Sequence, residues 1–323
     1  MKPPKYGNIL IPNIQEKIEK KLKELGLKPE ISPSEFLKKH KNRKHRYFSA
    51  CQEKNGKKVG FYSRLHFNLD AKNKFNQEIE FLLKLKENDF EIKKNVPQII
   101  NFGKEKDFEW FEREFPEGKP LGFSRNLTQK INLRLVPKIV KIIFNIQKIP
   151  SNFLSKIKSF NIKNYLAKEI YEKLAKEKVL EKKLVFDIQN FIKKNWKLLQ
   201  KENKYFCHGD LNLGNVISDK KNIWIIDWEL VHLNNFAYDL GYLWSHFWQA
   251  KKDFRKSLIL KFLKELPKEK IEKFKIVFPI VVAYLALGGI NFKERKKINA
   301  IKRKNFYSQV LKNFFNFEKL IKL

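Results

Sequence analysis

Cysteine, glycine and acidic side chains are all scarce in this 323-residue chain, which has two Cys, 12 Gly and 35 Asp or Glu against 69 Lys or Arg. Two cysteines, Cys51 and Cys207, cannot build a zinc site by themselves. With the polar start Met1-Lys2-Pro3-Pro4 they predict a reducing, cytoplasmic setting. The glycines form no G-x-x-x-x-G-K-[ST], no G-x-G-x-x-G and no G-x-S-x-G, so P-loop, dinucleotide and nucleophile-elbow chemistries are set aside. No apolar run reaches the roughly 20 residues that a membrane-spanning helix needs. The longest, Ile276 to Ile290, has fifteen, includes Pro279, Gly288 and Gly289, and is expected as a buried helix.

What is present is concentrated in one stretch. Cys207-His208-Gly209-Asp210-Leu211-Asn212-Leu213-Gly214-Asn215-Val216 is followed closely by Ile225-Ile226-Asp227-Trp228-Glu229. Phosphoryl transfer to a hydroxyl needs a carboxylate that orients the hydroxyl and accepts its proton, and oxygen ligands on separate segments that hold Mg²⁺ against nucleotide phosphates. Asp210 fits the catalytic role; Asn215 and Asp227 fit the metal role. The five-residue step from Asp210 to Asn215 matches the H-x-D-x-x-x-x-N loop of kinases. Val216-Ile217 and Ile223 to Ile226 read as short strands joined by the polar turn Ser218 to Asn222, a hairpin that returns Asp227 to the level of Asn215. Polar residues do gather in turns for unrelated reasons, but not in this order, at these spacings, between apolar segments. Cys207 adjoins His208, yet neighbours on a strand face opposite ways, so a buried thiol and a loop-steadying histidine are expected in place of a nucleophile pair.

His208-Gly209-Asp210-Leu211-Asn212-Leu213-Gly214-Asn215 with Ile226-Asp227-Trp228-Glu229 resembles the H-G-D-x-x-x-x-N and I-D-[WF]-E segments of the aminoglycoside phosphotransferase and choline kinase family. Tyr238-Asp239-Leu240-Gly241 resembles that family's aspartate-leucine segment at the start of the next helix. Gly209 and Trp228, where protein kinases carry an arginine and a D-F-G phenylalanine, favour the small-molecule branch. The resemblance implies an α+β, bilobal, protein-kinase-like fold: a small antiparallel β lobe with an N-terminal extension helix over residues 1–116, and a larger, mainly helical lobe over 117–323.

The N-terminal half agrees with that expectation. Tyr47 to Cys51 and Val59 to Leu65 read as strands around the turn Glu53-Lys54-Asn55-Gly56, and Phe75, Ile79, Leu82 and Leu83 form a helical stripe. Arg64 stands on the second strand where the family has a phosphate-binding cation, and a guanidinium can hold phosphate oxygens bidentately. Glu78 on the helix resembles its partner, with Glu80 as the register alternative. Glu109 to Leu121 resembles a strand and the interlobe hinge. There the Glu114 carbonyl takes the role of purine acceptor, and Pro116 falls where an amide donor is expected. Proline has no N–H, so the donor moves to Glu117 or purine recognition is looser, which leaves ATP and GTP both open. The phosphate-covering loop falls on Lys38 to Arg46, with six Lys or Arg and no glycine.

The formal charge of +34 is suited to polyanions. Residues 291–323 alone carry ten Lys or Arg against two Glu. An anionic membrane surface, giving a peripheral location, or nucleic acid is therefore an expected partner of the basic faces, although the spread of lysine over nearly every helix is also what an AT-rich genome produces. With Asp239 beside Asp227 near the metal, only Glu229 remains to meet a substrate amine. The expectation is a Mg²⁺-dependent kinase using ATP or GTP on a small-molecule hydroxyl, that of an amino alcohol, sugar or sugar derivative, with an aminoglycoside as a further candidate. Its competitors are a kinase of an anionic, membrane-associated glycolipid and a catalytically silent nucleotide-binding module docked on nucleic acid.

Overall fold

The computed structural model describes residues 13–39, 46–65, 69–123, 126–219, 221–291 and 297–323. The chain clusters into two compact units, one of Met1–Asp89 with Val96–Glu117, the other of Phe90–Asn95 with Gly118–Leu323. Most of the basic loop expected to cover phosphates, residues 40–45, lies outside the described residues.

In the first unit the elements run α1 (Ile14–Glu24), β1 (Lys28–Pro29), α2 (Pro33–Lys39), β2 (Arg46–Gln52), β3 (Lys58–Leu65), α3 (Leu69–Glu87), β4 (Ile99–Lys104) and β5 (Phe108–Glu114). The strands form one antiparallel sheet in the order β1-β2-β3-β5-β4. Alternation along each strand sends side chains to opposite faces. Phe61, Phe108 and Trp110 face α1, whose Ile14, Ile18 and Leu22 repeat every four residues and are buried against them together with Phe36 of α2. Burial of each such side chain contributes roughly 1.5–3 kcal/mol, so truncating Leu22 would loosen the extension helix first. The opposite face carries Tyr62, Arg64, Phe111 and Arg113, with Phe75 of α3 packed on Phe111 at 5.1 Å and Tyr62 stacked on it at 5.0 Å.

The second unit begins with β6 (Lys119–Pro120), β7 (Gly122–Phe123), β8 (Asn126–Leu127) and α4 (Leu135–Gln147). It continues with α5 (Lys168–Lys176), α6 (Lys182–Lys194), α7 (Trp196–Glu202), β9 (Tyr205–Cys207), β10 (Val216–Ser218), β11 (Ile223–Ile225) and β12 (His232–Asn234). It closes with α8 (Tyr238–His246), α9 (Lys252–Glu265), α10 (Lys268–Asn291), α11 (Lys297–Lys312) and α12 (Phe317–Leu320). The β10–β11 hairpin pairs Val216 with Ile225, and β6 adds a third strand beside β10. Its turn is fastened by the Asp219 carboxylate, which accepts from the backbone N–H groups of Lys221 (2.8 Å) and Asn222 (2.5 Å). Gly118 sits against this turn at φ +113°, where a Cβ would lie 2.5 Å from the Ser218 carbonyl, so no other residue fits.

Three stretches whose helical period runs unbroken in the sequence are divided in the structure, by a left-handed residue or by a local hydrogen bond that periodicity does not reveal. Ile162 to Lys176 divides into a 3-10 turn (Ile162–Leu166) and α5 at Ala167, which takes φ 34°. Leu184 to Gln200 divides at Asn195, whose amide side chain and backbone both bond to the Phe191 carbonyl. Tyr307 to Leu323 divides before Asn316, which caps α12 by accepting from Lys319 N. In the other direction, the fifteen-residue apolar stretch is part of the 24-residue α10, because the flanking Lys268 to Lys275 is helical too. Among the described residues α10 alone is long and apolar enough to cross a membrane by length and composition; 67% of that window is buried within the protein, as in a core helix.

Candidate active site

The loop between β9 and β10 is shaped by its own polar atoms. Leu211 and Leu213 are buried and anchor it, while the Asn212 side chain accepts from Gly214 N at 2.7 Å and its backbone N donates to the Asp210 carbonyl at 2.7 Å. Asn215 closes the turn by donating from Nδ2 to the Asp210 carbonyl (2.8 Å) and to Asp210 Oδ2 (3.2 Å). Gly209 enters the loop at φ +84°, and a Cβ there would stand 2.1 Å from the Leu230 carbonyl, which explains the glycine between His208 and Asp210.

His208 is fully buried and acts as a strap. Its Nδ1 accepts from Asp210 N at 3.2 Å, which leaves the proton on Nε2 to be donated to the Ile226 carbonyl at 3.1 Å. The imidazole rests on Trp228, with centroids 4.5 Å apart, and burial lowers its pKa to about 4, so it is neutral at physiological pH. One ring thus joins the loop of Asp210 to the segment that leads from β11 to Asp227. Cys207 is buried, its thiol pushed well up by that burial, as expected of a structural thiol.

Ile226 N donates to the Asn215 carbonyl at 3.1 Å, extending the hairpin ladder by one bond, and Asp227 then leaves it at φ 69°. A left-handed residue other than glycine costs about 1–2 kcal/mol, a strain that recurs at functional positions. Asn215 has committed Nδ2 to Asp210, so its Oδ1 is the atom turned the other way. An amide oxygen and one carboxylate are hard donors suited to an ion that keeps waters and phosphate oxygens in its remaining positions. Among the described residues no three His, Cys, Asp or Glu side chains gather into an all-protein metal cage.

Asp239 has a different place from the one expected. It is buried at the start of α8 and accepts from the backbone N–H groups of His208 (2.8 Å) and Gly209 (3.2 Å), so it braces the loop from behind and does not stand as a ligand beside Asp227. Burial raises its pKa to about 7 against the lowering effect of those two bonds. One turn farther along α8, Tyr242 donates its hydroxyl to Asp210 Oδ1 at 2.7 Å and stacks on His246. Sequence reasoning missed Tyr242, although its spacing carried a signal: a residue three after Asp239 shares its helix face, and Asp239 is the residue fixed to the loop.

The first unit holds the remaining candidates. Arg64 is nearly buried on β3, its guanidinium over the Phe75 ring at 5.4 Å. Glu78 of α3 is buried too and forms an ion pair with Arg113 of β5 at 3.5 Å. Arg113 also donates to the Tyr62 hydroxyl at 2.7 Å, a partner that the sequence had not suggested for this face. At the end of β5 the Glu114 N–H donates to the Gln98 carbonyl (2.9 Å) while its Oε2 accepts from Gln98 N (3.0 Å). Pro116 is buried and Glu117 exposed.

The sequence profile of the aminoglycoside phosphotransferase (APH) group, described as the phosphotransferase enzyme family, matches residues 54–265. No curated protein sequence matches at a significant level. Solved structures do. Amicoumacin kinase hAmiN, in complex with AMP-PNP, Ca²⁺ and Ami, aligns with a TM-score of 0.57 at 13% identity over 93% of each chain. The GDP complex of wild-type aminoglycoside 2'-phosphotransferase-IIIa gives 0.54 at 14% identity, over 86% of this chain and 96% of that one. Macrolide 2'-phosphotransferase MphH from Brachybacterium faecium gives 0.52 at 11%, over 92% and 98%. At such identities the likeness establishes the protein-kinase-like fold of these phosphotransferases. The family match covers well over half of the sequence and includes the Asp210, Asn215 and Asp227 segments: the chain belongs to the phosphotransferase enzyme family, whose members act on hydroxyl groups.

Proposed function

We propose that the protein transfers the γ-phosphoryl group of ATP or GTP to the hydroxyl of a small molecule, an amino alcohol, sugar or sugar derivative, with Asp210 as the catalytic base. The observation that carries this reading is the setting of the Asp210 carboxylate, held at one oxygen by Tyr242 and at the other by Asn215. A carboxylate fixed at both oxygens has little freedom to turn away from an incoming hydroxyl, and such positioning is a large part of phosphoryl-transfer catalysis.

In this mechanism the acceptor hydroxyl donates to Asp210 and gives up its proton there as its oxygen attacks the γ-phosphorus. The new O–P bond forms as the bond from phosphorus to the bridging oxygen breaks, and the nucleoside diphosphate leaves with that electron pair. Asn215 Oδ1 and the Asp227 carboxylate hold Mg²⁺, which when bound neutralises charge on the phosphates. Arg64, with Glu78 as its positioning acid, grips phosphate oxygens. The Glu114 carbonyl and the Glu117 amide meet the purine edge, since Pro116 has no N–H to offer. Asp210→Asn tests the assignment: the turnover of a hydroxyl-acceptor panel should fall by about 10²–10⁴-fold with the urea midpoint little changed. Unchanged turnover would remove Asp210 from the role.

A second reading concerns where the acceptor resides. On the outer face of α6, Phe186 is 63% exposed and lies among exposed Lys182, Lys183, Lys193 and Lys194. An aromatic side chain amid lysines suits an anionic lipid surface and supports a membrane-associated acceptor. Sedimentation with phosphatidylserine vesicles, lost in Phe186→Ala and in salt, would favour it; equal sedimentation of both proteins would count against it.

A further inference from the structure

On the face of the first unit's sheet that α1 covers, the apolar row Phe108 and Trp110 is continued by an acid, Glu112, which is 6% exposed. It is paired across the sheet with Phe61 on one side and Asn101 on the other. Glu112 lines an open cleft of about 570 Å³ between the end of α1, the tip of the β2–β3 hairpin and β4. The carboxylate has neither a hydrogen bond nor an ion pair within 4 Å among the described residues. An ionised carboxylate in that condition is costly to bury. Burial, reinforced by Glu53 and opposed by Lys57, pushes its pKa above the usual carboxylate range.

The neighbours do not solve the problem from within. Glu24, on the α1 side, is already paired with Lys21 at 2.6 Å. The Lys54 stem is laid along Gly26, with its Cε 3.4 Å from the place of a Cβ there. Glu53 brings a second negative charge to the same cleft, Leu25 and Ile100 give it apolar walls, and Lys23, which also lines it, is exposed and makes no ion pair with Glu112. Among the described residues no three His, Cys, Asp or Glu side chains here could hold a metal ion. A floor carboxylate without a donor, a second acid and hydrocarbon walls fit a cation that brings its own N–H groups on a carbon skeleton.

We propose that this cleft is a binding site for a small organic ammonium ion, with Glu112 accepting from the ammonium and Glu53 adding to its charge. The site shares no residue with the proposed phosphotransfer machinery, and all of its residues belong to the sheet unit and its extension helix.

The test uses the full chain at about pH 8 and low ionic strength, so that Glu112 is ionised when titrated with butylammonium and with putrescine. Calorimetry should show saturable one-site binding below about 20 mM, with a matching rise in melting temperature. Glu112→Gln, which keeps the shape and removes the charge, should weaken that binding by at least about tenfold. Ile100→Trp, which fills the cleft mouth, should weaken it as well and guards against a folding defect in the first variant. Lys54→Met should bind as wild type does or more tightly. Absence of saturable binding to wild type, or equal binding to Glu112→Gln and Ile100→Trp, overturns the proposal. So does binding that appears only in Lys54→Met, because the occupant would then be the protein's own ammonium.

Discussion

The Tyr242 hydroxyl donates to Asp210 Oδ1 at 2.7 Å, from a helix whose first turn is itself pinned to the Asp210 loop through Asp239. Tyr242 is therefore a positioning residue for the proposed base. Tyr242→Phe keeps the ring stacked on His246 and removes only the donor. We expect kcat to fall roughly tenfold while KM for the nucleotide stays within about twofold, measured by steady-state kinetics. A change confined to the nucleotide KM would mean that Tyr242 does not position Asp210.

Gly209 cannot be replaced without moving backbone. With φ at +84° and the Leu230 carbonyl 2.1 Å from the would-be Cβ, Gly209→Ala should cost about 2–4 kcal/mol in urea denaturation. The loop should shift as well, so that activity falls in the fraction that stays folded. Full stability and full activity would show that the turn carrying Leu230 yields freely.

Two buried groups give the fold opposed pH slopes. His208 has its pKa lowered to about 4, so the folded protein takes up that proton less readily than the unfolded chain; stability is lost as pH falls from about 6.5 towards about 4, by roughly 3 kcal/mol in all. Asp239 is raised to about 7, so its contribution is full below the unfolded value near 3.9 and is lost as pH rises to about 7. Asp239→Asn removes the second slope. Relative to wild type, the variant should gain about 2 kcal/mol between pH 5 and pH 7, even though its amide braces His208 and Gly209 less well. A constant difference between the two proteins across that range would contradict the raised value.

Arg64 is expected to act on the nucleotide alone. Arg64→Ala should raise the nucleotide KM by about 10–100-fold with the acceptor KM unchanged, and Arg64→Lys should recover only part, because a point charge cannot reproduce a bidentate grip. ATP and GTP assayed side by side in these variants also measure what the missing N–H of Pro116 does to purine preference. An unaltered nucleotide KM in Arg64→Ala would transfer the phosphate grip to another cation.

The parts of this protein that could be read in its sequence are those in which local pattern and spacing coincide with the final geometry. The hairpin from Val216 to Ile225 and the step from Asp210 to Asn215 are short and closed by their own hydrogen bonds, so residue order nearly determines them. The α1 stripe is equally direct. Contacts made by residues far apart in the chain were not legible. The partnership of Glu78 with Arg113 depends on which sheet face each occupies, and the place of Asp239 depends on the burial of α8 behind the loop. Helix breaks at Ala167 and Asn195 were not legible either, because a single local bond there interrupts a continuous period.

The neutral imidazole of His208 bonds the Asp210 backbone on one side and the residue before Asp227 on the other. Asp210 and Asp227, the proton acceptor and the ion-holding carboxylate of the proposed function, are thereby spaced by a rigid ring only one residue wide. Their separation should stay constant when the rest of the molecule breathes, and substitutions at the two positions should couple and not add. On the proposed reaction, adaptation to a new acceptor must then fall to residues outside that ring, while the spacing of the two carboxylates is inherited unchanged.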